Sequence, residues 1–265
     1  MRKPHIHAPP VPCGWINILL HGLGRTLFPR HCLVCERSNP GGILCSRCIP
    51  PEVMYHARTS CMRCAQALLY PQEASLCHSC RGREHPLTRQ RYLWSYHGTA
   101  RHLIVALKYR PSLQLTKYSA QVMAESIPIL FDAPRTWDLI VPMPSAPHNY
   151  ARRLFNPSRC LGETVGKLHS IPLATGLLRH LRTGHSQAAQ NQHQRLKHAR
   201  SSLQSTGATL KGQSILLLDD VVTTGATSIV AADLLRQQGA GRIDLLSLAR
   251  AESWHPAIAL NKNHT

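Results

Sequence analysis

Eight of the ten cysteines fall into four Cys-x-x-Cys pairs inside a 49-residue stretch: Cys32/Cys35, Cys45/Cys48, Cys61/Cys64 and Cys77/Cys80. Two residues between thiolates let both sulfurs of a tight turn face one ion, and two such turns complete a tetrahedral four-cysteine zinc site. Consecutive pairing leaves gaps of nine and twelve residues, each suited to a short hairpin, and makes two sequential zinc ribbons. Interleaved pairing and a single occupied site remain open on spacing alone. Either way the protein supplies every ligand, so the zinc is structural and replaces a core in a segment too short to build one.

A disulfide framework is the competing reading, and it requires an oxidising compartment. The only N-terminal leader candidate, residues 15–28, is interrupted by Asn17, His21, Gly22, Gly24 and Arg25 and lacks a small-residue cleavage site. No apolar run reaches the roughly 18–20 residues of a membrane-spanning helix. The expectation is therefore a cytoplasmic protein with reduced, metal-binding cysteines and no membrane span.

Lys plus Arg number 31 against 13 Asp plus Glu, a formal net charge of +18. That balance disfavours cationic partners and favours anionic ones: nucleic acid, phosphorylated metabolites or a membrane surface. Residues 164–218 contain no acid at all, but seven cations: Lys167, Arg179, Arg182, Arg195, Lys197, Arg200 and Lys211.

Residues 1–28 read as a disordered, proline-containing lead-in with a short amphipathic helix over 16–27. The double zinc-ribbon module occupies 29–83. Beyond it, Tyr92, Trp94 and Tyr96 alternate with Leu93, Ser95 and His97 in the period of a strand, and Leu103, Ile104 and Leu107 share one helical face. Val122, Met123 and Ile127 suggest a helix, residues 139–141 a buried strand, and Leu161, Val165 and Leu168 a further helix. Residues 214–218 and 243–249 read as buried strands flanking a helix over 229–236, with Gly239 as its cap. Such alternation predicts an α/β domain over 89–252, a mostly parallel sheet with flanking helices, followed by a tail at 253–265.

The acid-free stretch ends at Asp219-Asp220-Val221-Val222-Thr223-Thr224-Gly225-Ala226-Thr227. An apolar strand here brings two carboxylates to the edge of a sheet where α/β proteins bind ligands. A loop of threonines and glycine then opens a helix, whose N–H groups and hydroxyls make a phosphate cradle. Carboxylates beside a phosphate repel it, so ribose hydroxyls or a magnesium ion explain them better.

This segment resembles the phosphoribosyl pyrophosphate signature of type I phosphoribosyltransferases. The resemblance implies that Thr223, Thr224, Gly225, Ala226 and Thr227 hold the 5′-phosphate and that Asp219 and Asp220 contact the ribose. Cysteine pairs ahead of such a signature are similar to the ComF family, and three further segments agree. They are Leu27-Phe28-Pro29-Arg30-His31-Cys32, Ala106-Leu107-Lys108-Tyr109-Arg110, and Val141-Pro142-Met143-Pro144 followed by Arg152-Arg153-Leu154-Phe155-Asn156. Leu154 replaces the family's glycine, Pro157 its glutamine, and His198 an asparagine.

The resemblance implies a fold of the type I phosphoribosyltransferase kind behind a zinc-ribbon module. It also implies binding of phosphoribosyl pyrophosphate with magnesium, the departing pyrophosphate being stabilised by Lys108 and Arg153, and a link to DNA uptake and natural transformation through partner proteins. Transfer to an unidentified acceptor is one expectation. Single-stranded DNA binding, with the phosphoribosyl site as a sensor, is the other. For that second role Tyr92, Trp94 and Tyr96 are the aromatic candidates, against core packing of the same side chains.

Overall fold

The computed structural model describes residues 31–39, 42–50, 60–66, 68, 76–82, 84–110, 112–131, 137–146, 156–181 and 192–251. The lead-in and its helix, the tail, Arg153 and Arg182 lie outside the described residues.

Among the described residues, six strands and five helices follow the zinc-binding region. In chain order they are β1 (Arg89–Ser95), α1 (Gly98–Tyr109), α2 (Leu113–Phe131), β2 (Leu139–Pro142), α3 (Pro157–His169), β3 (Leu178–His180), α4 (Gln192–Ser202), β4 (Leu203–Ser205), β5 (Ile215–Val222), α5 (Ala226–Gln237) and β6 (Ile243–Arg250). Four strands form one parallel sheet in the order β1-β6-β5-β2. Beyond β2, residues 172–174 extend that sheet: Ile140 N–H donates to Pro172 O and Ala174 N–H to Ile140 O, both at 2.8 Å. Strands β3 and β4 pair separately as an antiparallel ribbon.

Leu216, Leu217 and Leu218 are all fully buried because both faces of β5 are covered, which is why this strand reads as an unbroken apolar run. Ile140, Leu216, Leu218, Leu246 and Leu248 pack with the buried residues of α1, α2 and α3. Val141, Ile215, Leu217, Ile243 and Leu245 pack with α5 and the β3–β4 ribbon. The fold is thus the expected α/β class, a mostly parallel sheet with flanking helices.

Three local expectations change. β1 spans Arg89–Ser95 and is buried along nearly all of its length, although it lies at the sheet's edge. Residues 62–65 cover part of this edge by accepting hydrogen bonds from Gln90, Arg91 and Tyr92, so Tyr92 is 7% exposed, while Trp94 (2%) lies in the main apolar core and only Tyr96 is half-exposed. In α3, Leu161 and Val165 are buried but Leu168 is 58% exposed. Periodicity assigns a direction around a helix and says nothing of where along its length the neighbouring element ends. Finally, β5 and α5 reach further than their apolar runs, through Val222 and from Ala226. Among the described residues, no helix is long and apolar enough to cross a membrane.

Candidate functional site

After β2 the chain passes through α3 to the outer segment 172–174; after β5 it passes through α5 to β6 on the other side. Connections that leave two adjacent parallel strands in opposite directions open a crevice at their carboxyl ends, the usual ligand position of an open α/β sheet.

Asp219 and Asp220 sit inside β5 rather than at its end, with Asp219 in register with Ser247. Ser158 Oγ donates to Asp219 Oδ1 at 3.1 Å, and the Asp220 N–H donates to the same oxygen at 2.9 Å. Asp220 Oδ1 accepts from the Val221 N–H at 2.7 Å, while its Oδ2 pairs with Lys108 Nζ at 3.1 Å. Lys108 stands in the last turn of α1, so this helix delivers a cation to the acidic pair.

Ser158 went unnoticed in the sequence. It stands in the first turn of α3, where Asn156 caps the helix by accepting from the Ser158 N–H at 3.0 Å. Asn156 also donates to Met143 O at 2.8 Å, tying the exit of β2 to the start of α3. Asn-Pro-Ser is a recognisable helix start, with a cap residue and proline at the first helical position. What no local pattern could show is that this start lies against Asp219.

Burial, and then the neighbouring charge of Asp220, push the Asp219 carboxyl up to about 7, with Lys108 opposing the rise. A folded-state value above the unfolded value of 3.8 means that the native state holds the proton more tightly. The associated stability is present at low pH and is lost as pH climbs from about 4 through 7. Asp219→Asn removes this dependence. In thermal melts between pH 5.5 and 8.5, the variant should gain stability relative to the parent as pH rises, by several degrees at the upper end. A pH-independent difference would contradict the assignment.

Beyond Val222 the chain turns through Thr223, Thr224 and Gly225 into α5. Gly225 has φ +77°, a left-handed conformation that glycine adopts without strain. Thr223 and Thr227 are exposed and Thr224 half-buried. Thr224 Oγ1 accepts from the Ala226 N–H at 3.5 Å, and the Ile229 N–H donates to Gly225 O at 2.9 Å. The hydroxyls of Thr223 and Thr227 and the N-terminal amides of α5 suit an anion. Lys108, Asp219, Asp220 and residues 223–227 therefore lie at one end of the sheet, and two adjacent carboxylates suit hydroxyl donors or a hydrated divalent cation.

The eight cysteines form two separate clusters by consecutive pairing: Cys32, Cys35, Cys45 and Cys48, and Cys61, Cys64, Cys77 and Cys80. Within each cluster the ligand atoms lie within 4.8 Å of one another. Cys35 and Cys45 sulfurs are 3.7 Å apart, as are those of Cys64 and Cys77. A tetrahedral zinc with Zn–S bonds of about 2.3 Å puts its sulfurs about 3.8 Å apart, so both sets fit the ion. Glu36 (φ +61°) and Ala65 (φ +56°) follow the first pair of each cluster and let the turn fold back. Cys32 N–H then reaches Arg37 O at 2.8 Å, and Cys61 N–H reaches Gln66 O at 2.7 Å. With four protein sulfurs each, the clusters are structural and leave no open position for a reacting group.

Comparison with known proteins agrees with this division. A double zinc ribbon domain matches residues 23–90, and a phosphoribosyl transferase domain matches residues 168–257. Competence protein F of Haemophilus influenzae is 26% identical over 216 residues, covering 78% of this chain and 90% of that protein. Among solved structures, adenine phosphoribosyltransferase from Thermoanaerobacter pseudethanolicus is similar at 18% identity and TM-score 0.34, over 54% of this chain and 83% of its own. Glutamine phosphoribosylpyrophosphate amidotransferase from B. subtilis is similar at 18% identity and TM-score 0.37, over 56% of this chain but 30% of its own.

Proposed function

We propose that the chain, which is similar to competence protein F and matches a double zinc ribbon domain and a phosphoribosyl transferase domain, is a ComF-like protein that binds phosphoribosyl pyrophosphate with magnesium. The observation that carries this reading is the junction of β5 and α5. There an acidic pair is followed within five residues by a glycine-turned helix start, at the crevice between β2 and β5. Residues 223–227 take the 5′-phosphate, and Asp219 and Asp220 take the ribose hydroxyls. Ser158 and the Asp220 N–H hold the Asp219 carboxylate in place from two sides.

Magnesium supplies charge neutralisation for the pyrophosphate when bound. Lys108, already at the acidic pair, adds a fixed positive charge at that end, and the family resemblance assigns Arg153 as a further cation for the pyrophosphate. Loss of pyrophosphate breaks the bond between its oxygen and the anomeric carbon. A nucleophile on the opposite face forms the new bond, and its proton leaves to solvent or a base. The acceptor is an unassigned nucleophile, and the biological setting we infer is the cytoplasmic handling of incoming DNA, extended from the relative's role in competence.

Isothermal calorimetry with phosphoribosyl pyrophosphate and magnesium tests the site. Asp219→Asn combined with Asp220→Asn should weaken binding at least tenfold, since two charge-assisted contacts are lost. Equal affinity for both proteins would sink the assignment.

A second ligand is supported by one specific observation. Lys167, Arg179, Lys197, Arg200 and Lys211 of the acid-free stretch are all exposed, as a salt-sensitive surface for single-stranded DNA requires. A titration at several salt concentrations should show affinity falling steeply with salt, and absence of binding at low salt would remove this reading.

A further inference from the structure

The turn that carries Cys61 and Cys64 presents four consecutive carbonyls, and every one accepts a hydrogen bond from the parallel sheet. Met62 O accepts from Arg91 Nη1 at 2.9 Å, Arg63 O from the Gln90 N–H at 2.6 Å, and Ala65 O from Tyr92 Oη at 2.7 Å. Cys64 O accepts from Arg250 Nη1. Three of these donors belong to β1. The fourth, Arg250, is the last residue of β6, and its guanidinium lies over the Tyr92 ring at 5.9 Å.

Two of the four donors also reach the junction of β5 and α5. Arg250 pairs in register with Val222, the residue immediately before Thr223, and the Ala251 N–H donates to Val222 O at 2.8 Å. The side chain of Gln90 lies 3.8 Å from the position a Cβ on Gly225 would occupy. Cys64, Gln90, Tyr92, Val222 and Arg250 accordingly meet in one place. A metal-ligating turn and the proposed phosphate loop are thus separated by a single layer of side chains. The first cluster is joined differently. Cys32, Val34, Leu44 and Cys48 merge with the main apolar core, and its ion pair, Glu36 with Arg110 at 3.0 Å, is solvent-exposed and correspondingly weak.

We propose that the second zinc cluster is a positioning element for residues 222–227, and that Arg250 is the positioning residue that carries the coupling. The zinc fixes the carbonyl of Cys64, that carbonyl fixes the Arg250 guanidinium, and Arg250 holds the carboxyl end of β6 against Val222. The anion bound by the loop is that of the proposed function, on which this inference rests for its ligand but not for its mechanics.

The test uses the full, zinc-loaded chain and Arg250→Met, with Arg250→Lys as the conservative variant. Arg250→Met should keep two zinc ions while amide exchange over residues 221–229 accelerates on the order of tenfold, the size expected for one charge-assisted hydrogen bond. Exchange at Ile215 and Ile243, at the far end of the same ladder, should not change. Arg250→Lys should restore most of the protection. Because coupling between two binding events is reciprocal, phosphoribosyl pyrophosphate with magnesium should slow chelator removal of one of the two zinc ions in the parent and not in Arg250→Met. Unaltered exchange in Arg250→Met overturns the inference. Should that variant lose its second zinc, Tyr92→Phe, which removes only the hydroxyl on Ala65 O, decides by the same exchange measurement. A parent protein that shows the exchange response but binds no phosphoribosyl pyrophosphate keeps the coupling and refutes the ligand.

Discussion

Cys77→Ser should release one of the two zinc ions and unfold the second ribbon, residues 60–82, while the parallel sheet stays folded. Its cluster consists of four buried sulfurs with, among the described residues, Leu68 and Leu76 packed partly against them. Two half-buried leucines stabilise by about 2–4 kcal/mol at most, whereas a structural zinc contributes about 10–16 kcal/mol. With the metal gone, the hydrogen bonds that Gln90, Arg91, Tyr92 and Arg250 give to the carbonyls of residues 62–65 remain, but at about 1 kcal/mol each they do not offset the conformational entropy of the segment. Cys35→Ser should be milder, because its cluster shares Cys32, Val34, Leu44 and Cys48 with the main core. Metal content and limited proteolysis distinguish the two: new cleavage within residues 60–82 for Cys77→Ser and little within 31–50 for Cys35→Ser. A protease-resistant Cys77→Ser protein with one zinc would show that packing, not the metal, holds the second ribbon.

The second large effect is expected at Gly225. Its φ of +77° suits glycine, is tolerated by asparagine, and is strongly disfavoured for a β-branched side chain. Space is not the constraint, since a Cβ there would meet nothing closer than 3.8 Å. Gly225→Val must relieve its strain by rotating the backbone of residues 224–226, and that rotation turns the amides at the start of α5 away from any anion they hold. Affinity for phosphoribosyl pyrophosphate should fall more than a hundredfold, while Gly225→Asn stays within about fivefold of the parent, consistent with its tolerance of the left-handed region. Equal affinities for the valine and asparagine variants would show that the loop's conformation is irrelevant to binding.

These two effects arise where local chemistry is dense, and such places were legible in the sequence. Cysteine spacing identified eight metal ligands because a tight turn of two intervening residues is a property of the chain itself. The same holds for the strand, acidic pair and glycine turn at 215–227, whose polarity changes within a dozen residues. Element bounds were less legible. The strand signal around Tyr92 began three residues late because Arg89, Gln90 and Arg91 are polar. Arg91 is nevertheless 2% exposed, its charge met by the carbonyls of Leu130 and Met62 and by the Phe131 ring at 5.9 Å. A buried arginine of this kind satisfies its donors on distant backbone, which no periodicity records.

What the sequence determined by itself was therefore chemical: two metal-binding clusters' worth of thiols, one acidic pair with a phosphate-type loop, and the alternation of a parallel α/β fold. Tertiary structure decided which cysteine pairs share a cluster. It also brought Lys108 to Asp220, Ser158 to Asp219 and Arg250 to Cys64. Those partners are separated along the chain by 61 residues in one case and 186 in another. The first kind of information resides in a few adjacent residues and needs only bond geometry. The second depends on which surfaces meet when β1 and β6 are covered by a metal-bound turn, and it exists only once the sheet has formed.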